Sequence, residues 1–197
     1  VLHRCGGLNY IRQTSEIGAT LLLLALICFL IITYNTLLPV FAKEIFKGNV
    51  ATYGYLNAVI GIGAVTSTFY LASKKNGADL KHLLFVSIIL LGAGLILFSQ
   101  TNYFPIALLW AAICGFSTML IVPICNTIIQ MTSAPEMRGR VIGFFAMAFF
   151  GMLPLGSMLV GWLSKWLGAR NSLLGQGILA LVIALAFSGF LVKKKKI

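Results

Sequence analysis

Four side-chain amides, those of Asn35, Asn57, Asn126 and Gln130, lie inside long apolar runs of this 197-residue chain. Moving an unpaired amide from water into hydrocarbon costs roughly 4–8 kcal/mol, so each of these groups must face protein or a wet cavity. Amides donate and accept hydrogen bonds but do not titrate, and the chemistry they offer is recognition rather than proton transfer. The groups that could move protons sit elsewhere. Glu16, Glu44, Asp79 and Glu136 fall in loops or at the edges of apolar runs, as do His3 and His82. Proton relays and ion sites within a membrane draw on such groups at mid-depth, so any coupling acid is expected outside these residues. Ser117 follows Gly115-Phe116, but no His stands at its depth to act as a base, and hydrolysis is not expected. Cys5, Cys28, Cys114 and Cys125 form no CxxC pair and have no His at ligand spacing. Three of them lie in apolar runs, where a reduced Cys packs as a small hydrophobe. No metal, no cofactor and no disulfide framework is expected.

The elements that must position the amides follow from composition. Apolar residues make up 59% of the chain and charged ones 10%, with a mean hydropathy of +0.98. A globular chain carries about 25% charged residues. Fifteen Lys/Arg and four acids cannot cover a water-facing surface. A soluble enzyme, a nucleic-acid partner and a disordered chain are all excluded. The +11 net charge is dispersed between apolar runs rather than massed on one polar face. Apolar runs recur at about 18–41, 53–72, 83–99, 105–131, 141–163 and 172–192. A span takes about 20 apolar residues, and a backbone without water must satisfy itself, so six helices are expected. Turn chemistry separates them at Gly48-Asn49, Lys74-Lys75-Asn76-Gly77, Gln100-Thr101-Asn102, Ala134-Pro135-Glu136 and Gly168-Ala169-Arg170-Asn171. Ser133 and Glu136 have capping-box spacing and are expected to open the fifth helix.

An even number of spans puts both termini on one side. That side would hold Arg4, Arg12, Lys74, Lys75, Lys81, Arg138, Arg140 and Lys193 to Lys196, eleven cations against four (Lys43, Lys47, Lys165, Arg170). The positive-inside rule makes it cytoplasmic, and Tyr53, Tyr55, Tyr103, Trp162 and Trp166 then fall near the outer interface. The division is a juxtamembrane segment at 1–17, a six-helix bundle at 18–192 and a basic tail at 193–197. That tail reads as an anchor held by the negative leaflet. The chain begins with Val rather than Met, which suggests part of something longer.

Small and polar residues recur at helical spacing in three spans. Gly54, Asn57, Gly61, Ala64 and Thr68 make one stripe; Gly115, Thr118, Val122, Asn126 and Gln130 a second; Gly143, Met147, Phe150, Pro154, Ser157 and Gly161 a third. Gly54, Gly61, Gly143, Pro154 and Gly161 are expected as helix-packing positions, because small residues let helices approach. The amides serve either a helix interface or a cavity. Spans three and six lack stripes and are expected to face lipid. Three helices ending in a peripheral one, then three more of the same kind, suggest an inverted 3+3 repeat.

Several segments resemble one family. Leu8 to Ile17 is similar to the approach to the seventh helix of major facilitator superfamily exporters, in particular their bacterial enterobactin-exporter and macrolide-efflux branch. Leu37-Leu38-Pro39-Val40-Phe41-Ala42, Tyr53-Gly54-Tyr55-Leu56 and Gly61-Ile62-Gly63-Ala64 resemble its seventh and eighth helices. Pro135-Glu136-Met137-Arg138-Gly139-Arg140-Val141, with Gly151, Pro154-Leu155-Gly156 and Gly161, is similar to its eleventh helix and the loop before it. The acidic-basic signature of many facilitators is degenerate at Ser73 to Asp79.

The resemblance implies the C-terminal half of a twelve-helix exporter of amphipathic small molecules, driven by an ion gradient, with the proton as coupling ion. Its partners would be a small-molecule substrate, the lipid bilayer of a bacterial inner membrane, and either a missing six-helix half or a second chain. Asn35, Asn57, Asn126 and Gln130 become substrate-cavity candidates. Glu136, Arg138 and Arg140 become cytoplasmic-loop residues, the two arginines pairing with Glu136 or with helix ends to hold one conformer. A half-size transporter that dimerises, and a membrane scaffold or fragment without transport, are the alternatives.

Overall fold

A computed structural model describes residues 10–11, 13–74 and 79–191. The juxtamembrane residues 1–9, Arg12, the turn at 75–78 and residues 192–197 with the basic tail lie outside the described residues. Among the described residues all regular structure is helical, and the protein is an all-α membrane protein. Five helical stretches among the described residues are long and apolar enough to cross a bilayer. The first begins as α1 (Ser15–Leu30) and continues through a 3-10 segment (Ile32–Leu37), a short α turn (Leu38–Val40) and a π segment (Phe41–Ile45). After it come α2 (Val50–Ala72), α3 (Leu80–Gln100), α4 (Phe104–Thr132) and α5 (Arg138–Ala186), then a last turn at Ser188–Leu191.

A straight helix of 49 residues would be about 70 Å long, more than twice a hydrocarbon core. α5 is not straight. Gly168 has φ 79° and ψ 157°, a backbone state open to glycine, and there the chain folds back. The two arms prove it by their shared neighbour. A Cβ on Gly156 would lie 2.7 Å from Cγ2 of Thr33, and the Gln176 amide donates to Oγ1 of the same Thr33 at 3.2 Å. Twenty residues of straight helix would hold those positions about 30 Å apart.

Contacts between loops fix the direction of each pass. Glu16, at the start of α1, forms an ion pair with Lys81, at the start of α3, and the Lys81 ammonium lies over the Phe190 ring at 4.7 Å. Tyr10 accepts a hydrogen bond from the Ala134 N–H at 3.0 Å, which brings the end of α4 to this same Lys81 end. At the other end the Arg170 guanidinium donates to Asn102, and Phe46 meets Phe104 with ring centroids 5.4 Å apart. The passes therefore alternate in direction, with Tyr53, Tyr103, Trp162 and Trp166 exposed toward the Arg170 end.

The helix boundaries have local causes. Asn49 opens α2 with a capping box: its Oδ1 accepts from the N–H groups of Ala51 and Thr52, and Oγ1 of Thr52 accepts from its own N–H. Asp79 caps α3 by accepting from the His82 N–H. The box expected at Ser133 and Glu136 does not form. Ser133 instead donates to the Ile129 carbonyl at 2.6 Å and closes α4, while Ala134 to Met137 make a turn and α5 starts uncapped at Arg138.

α1 departs from α geometry at Ile31, where Ile31, Ile32 and Thr33 form a β-branched run that is crowded in a helix. Pro39 has no N–H to give the Asn35 carbonyl, and Leu38 takes that acceptor in the shorter 3-10 pattern. Thr33 donates to the Phe29 carbonyl at 3.3 Å and accepts from Gln176, inside the bundle. Oε1 of Gln176 is buried without a partner.

Helices α2 and α4 cross with almost no space between backbones. A Cβ on Gly63 would lie 2.0 Å from the Ala112 carbonyl oxygen, and one on Gly115 2.3 Å from that of Ile60. Gly54, Gly61, Gly143 and Gly161, expected as packing positions, do not pack against the described residues of this chain. A Cβ on any of them would meet nothing within 4 Å, and Pro154 is exposed. The packing face of α2 is the opposite one, with Leu56, Gly63 and Ser67. The third span is also not a bare lipid-facing helix: α3 buries Leu84, Ser87, Ile88, Leu91 and Leu95 on one side and exposes Val86 and Leu97 on the other.

Two outcomes follow for stability in micelles. Gly115→Ala should cost about 1–3 kcal/mol through overpacking, whereas Gly61→Ala should stay within about 0.5 kcal/mol of the parent; denaturant midpoints compare them. Thr33→Val strands the whole Gln176 amide and should cost about 1–3 kcal/mol, while Gln176→Leu, which removes the orphaned oxygen as well, should cost less. Equal losses in that second pair would show that the link carries no polar stabilisation.

Candidate functional site

Structure divides the four amides into two levels. Asn57 lies about 11 Å along α2 from its start at the Arg170 end, and Asn35 sits in the 3-10 segment of the first span. Both are exposed. Each turns its amide back onto its own helix, Asn57 to the Tyr53 carbonyl at 3.0 Å and Asn35 to the Ile32 carbonyl at 3.4 Å. Asn126 and Gln130 lie in the last two turns of α4, at the Lys81 end. They are half-buried and joined, with Nε2 of Gln130 donating to Oδ1 of Asn126 at 3.1 Å.

Gln130 also lines a cavity of about 270 Å³ together with Thr127, Met131 and Arg138. Thr127 spends its hydroxyl proton on the Pro123 carbonyl at 2.9 Å, so toward the cavity it presents oxygen lone pairs. Arg138 is the first residue of α5, and it forms no ion pair among the described residues. Neither do Glu136 and Arg140, both exposed: the latch expected of these three is not closed in this conformer. Only Met137 stands between Glu136 and Arg138 in sequence: Glu136 lies in the turn Ala134–Met137, and Arg138 opens α5.

α2 and the first arm of α5 leave long faces uncovered. On α2 these faces carry Gly54, Asn57, Gly61 and Thr68; on the arm 138–167 they carry Gly143, Met147, Phe150 and Pro154. All belong to the stripes read from sequence. The α4 stripe behaves differently: Gly115 and Thr118 are buried at the crossing with α2, and it opens only at Val122, Asn126 and Gln130.

Sequence reasoning missed two participants. Gln176 belonged to a span without a stripe, yet its amide reaches Thr33 from the folded-back arm; a lone Gln in an apolar run was the available signal. Thr127 lies off the α4 stripe and reaches the cavity only because α5 starts beside the end of α4.

The chain matches the family described as transmembrane secretion effector over residues 4–196. It is also 25% identical over 130 residues to the multidrug efflux pump Tap of Mycolicibacterium fortuitum, a stretch covering 66% of this chain and 32% of the pump. The matched stretch thus spans about a third of the length of that relative. A bundle of apolar helices that cross in alternating directions, matched by one family along almost its whole length, settles its membership: this chain belongs to the transmembrane secretion effectors, within the major facilitator superfamily of multi-pass transporters.

Proposed function

We propose that the chain is the C-terminal six-pass half of a secondary exporter, moving amphipathic small molecules across a bacterial inner membrane on an ion gradient. The observation that carries this reading is the uncovered face of α2. Asn57 and Thr68 are exposed there on a helix otherwise apolar enough to cross a bilayer. Lipid would leave the rest of the Asn57 amide without partners, so that face meets protein or a wet cavity. A second bundle supplies both: small residues admit its helices, and polar ones line what remains between the halves. Tap, named as a multidrug efflux pump, is longer than the matched segment, which agrees with a further half.

An inverted 3+3 repeat is supported by which helices touch. Exchange the first pass with the fourth, the second with the fifth and the third with the sixth. The crossing of α2 on α4 at Gly63 and Gly115 then maps onto that of the arm 138–167 on α1, where a Cβ on Gly156 would lie 2.1 Å from the Phe29 carbonyl oxygen. The pair α3 and 169–186 maps onto itself, and there Gly92 and Gly177 each face the other's carbonyl oxygen. Both chain termini are assigned to the cytoplasm, since Lys74, Lys81, Arg138 and Arg140 gather at the Lys81 end.

Coupling to protons would use acids outside this chain. Glu16, Asp79 and Glu136 stand at the Lys81 end and Glu44 near the other, none at mid-depth. In the native protein, Glu16→Gln, Glu44→Gln and Asp79→Asn should each keep pH-gradient-driven flux within about twofold of the parent. Abolition by any one would place the coupling site here. Asn57→Leu should insert normally and raise KM for at least one exported dye by about threefold or more. Unchanged KM across several dyes would make Asn57 a packing residue. The intact mass of the native protein separates the readings: about twice 21.3 kDa means a fused second half, and 21.3 kDa means that transport requires self-association, with the non-transporting fragment the leading reading until flux is shown.

A further inference from the structure

From the cavity at the Lys81 end we infer a binding site for the anionic group of an amphipathic molecule, a phosphate or a carboxylate on an apolar tail. Arg138 supplies the charge. Its guanidinium is a planar fork of five N–H donors matched to two oxygens of such a group, and it lines the cavity with no carboxylate paired to it among the described residues. Gln130 supplies a further donor, because one N–H of Nε2 goes to Asn126 and the other has no partner among the described residues. α5 begins at Arg138 without a capping side chain, so the positive end of that helix adds to the field, and Gly139 has open space above it. Met131 gives the apolar wall, and the Thr127 oxygen, its proton spent on the Pro123 carbonyl, offers the anion no donor.

The cavity is an open one of about 270 Å³, with room for a head group and the first carbons, and the rest of the molecule would run along the exposed side of α4 at Pro123 and Met119. Two sources share this chemistry: an acidic lipid and an acidic exported molecule. The inference rests on the exporter reading only for what the anion is for; binding itself requires no flux.

The test uses the native full-length protein in uncharged detergent, with decyl phosphate as the soluble probe, decanol as its uncharged control, and phosphatidylglycerol retention by native mass spectrometry as the lipid arm. Decyl phosphate should raise the thermal midpoint of the parent and of Lys165→Gln, which removes an equal charge at the opposite end, and decanol should not. In Arg138→Gln the concentration giving half the shift should rise by at least about tenfold, with Arg138→Lys falling between them. If decyl phosphate is inert but phosphatidylglycerol is retained by the parent and lost from Arg138→Gln, the site stands and its ligand is the lipid. Equal responses of parent and Arg138→Gln in both arms, or no response of the parent in either, overturn the site. Flux of an uncharged dye, measured alongside, tests the exporter reading separately.

Discussion

Helices in this bundle meet where a carbonyl oxygen occupies the space a Cβ would need. Gly63 and Gly115 bring α2 onto α4, Gly156 brings the first arm of α5 onto α1, and Gly92 and Gly177 bring the second arm onto α3. Association in a bilayer gains nothing from apolar surface as such, since lipid tails are as apolar as Leu, so close packing must supply the attraction. Everything else follows from those crossings. They decide which side of α2 is spent on the chain itself, and so which side is left over. They also bring Gln176 and Gly156 to one Thr, which holds the first span at the point where its α geometry gives way.

That break concentrates polar groups where the bundle can still satisfy them. Thr33 serves Phe29 and Gln176 together, and Leu38 takes the acceptor left free by Pro39. Non-α backbone at membrane depth survives when protein surrounds it, and here Tyr34, Leu37, Leu38 and Phe41 are all buried. The orphaned oxygen of Gln176 is the one place among the described residues where the side-chain accounting does not close.

Much of this was legible before any coordinates. Apolar run length pointed to membrane helices, and the turn residues 168–171 include Gly168, where the backbone leaves helical geometry. The stripes were real, but their meaning was not readable. A row of Gly, Ala and Thr serves a helix contact and a cavity wall equally well, and Gly61 and Gly63 lie two residues apart on opposite faces of one helix. Nothing in composition says which face is spent. Likewise an all-apolar helix reads the same whether its neighbours are lipid or protein, which is why α3 looked peripheral while burying a full side. The capping-box reading at Ser133 failed for a related reason: its hydroxyl had a nearer acceptor, the Ile129 carbonyl in the turn it was leaving.

The uneven placement of polar groups bears on how two such bundles could work together. Asn35 and Asn57 stand toward the Arg170 end, Asn126, Gln130 and Arg138 toward the other. Between them the open faces offer Ile62, Val65, Met147, Phe150 and Leu155, and no charge. On the exporter reading proposed above, an amphipathic molecule passing along this surface would find hydrogen-bond partners at both ends and apolar contact between. Rocking of one bundle on another would expose one end at a time, so the two polar levels need not be occupied together. A single central cluster of charges would bind more tightly than transport requires, because a site must also release what it holds. Dividing the polar contacts between two depths would leave each modest, with the glycine crossings keeping them a fixed distance apart if the bundle moves as a body.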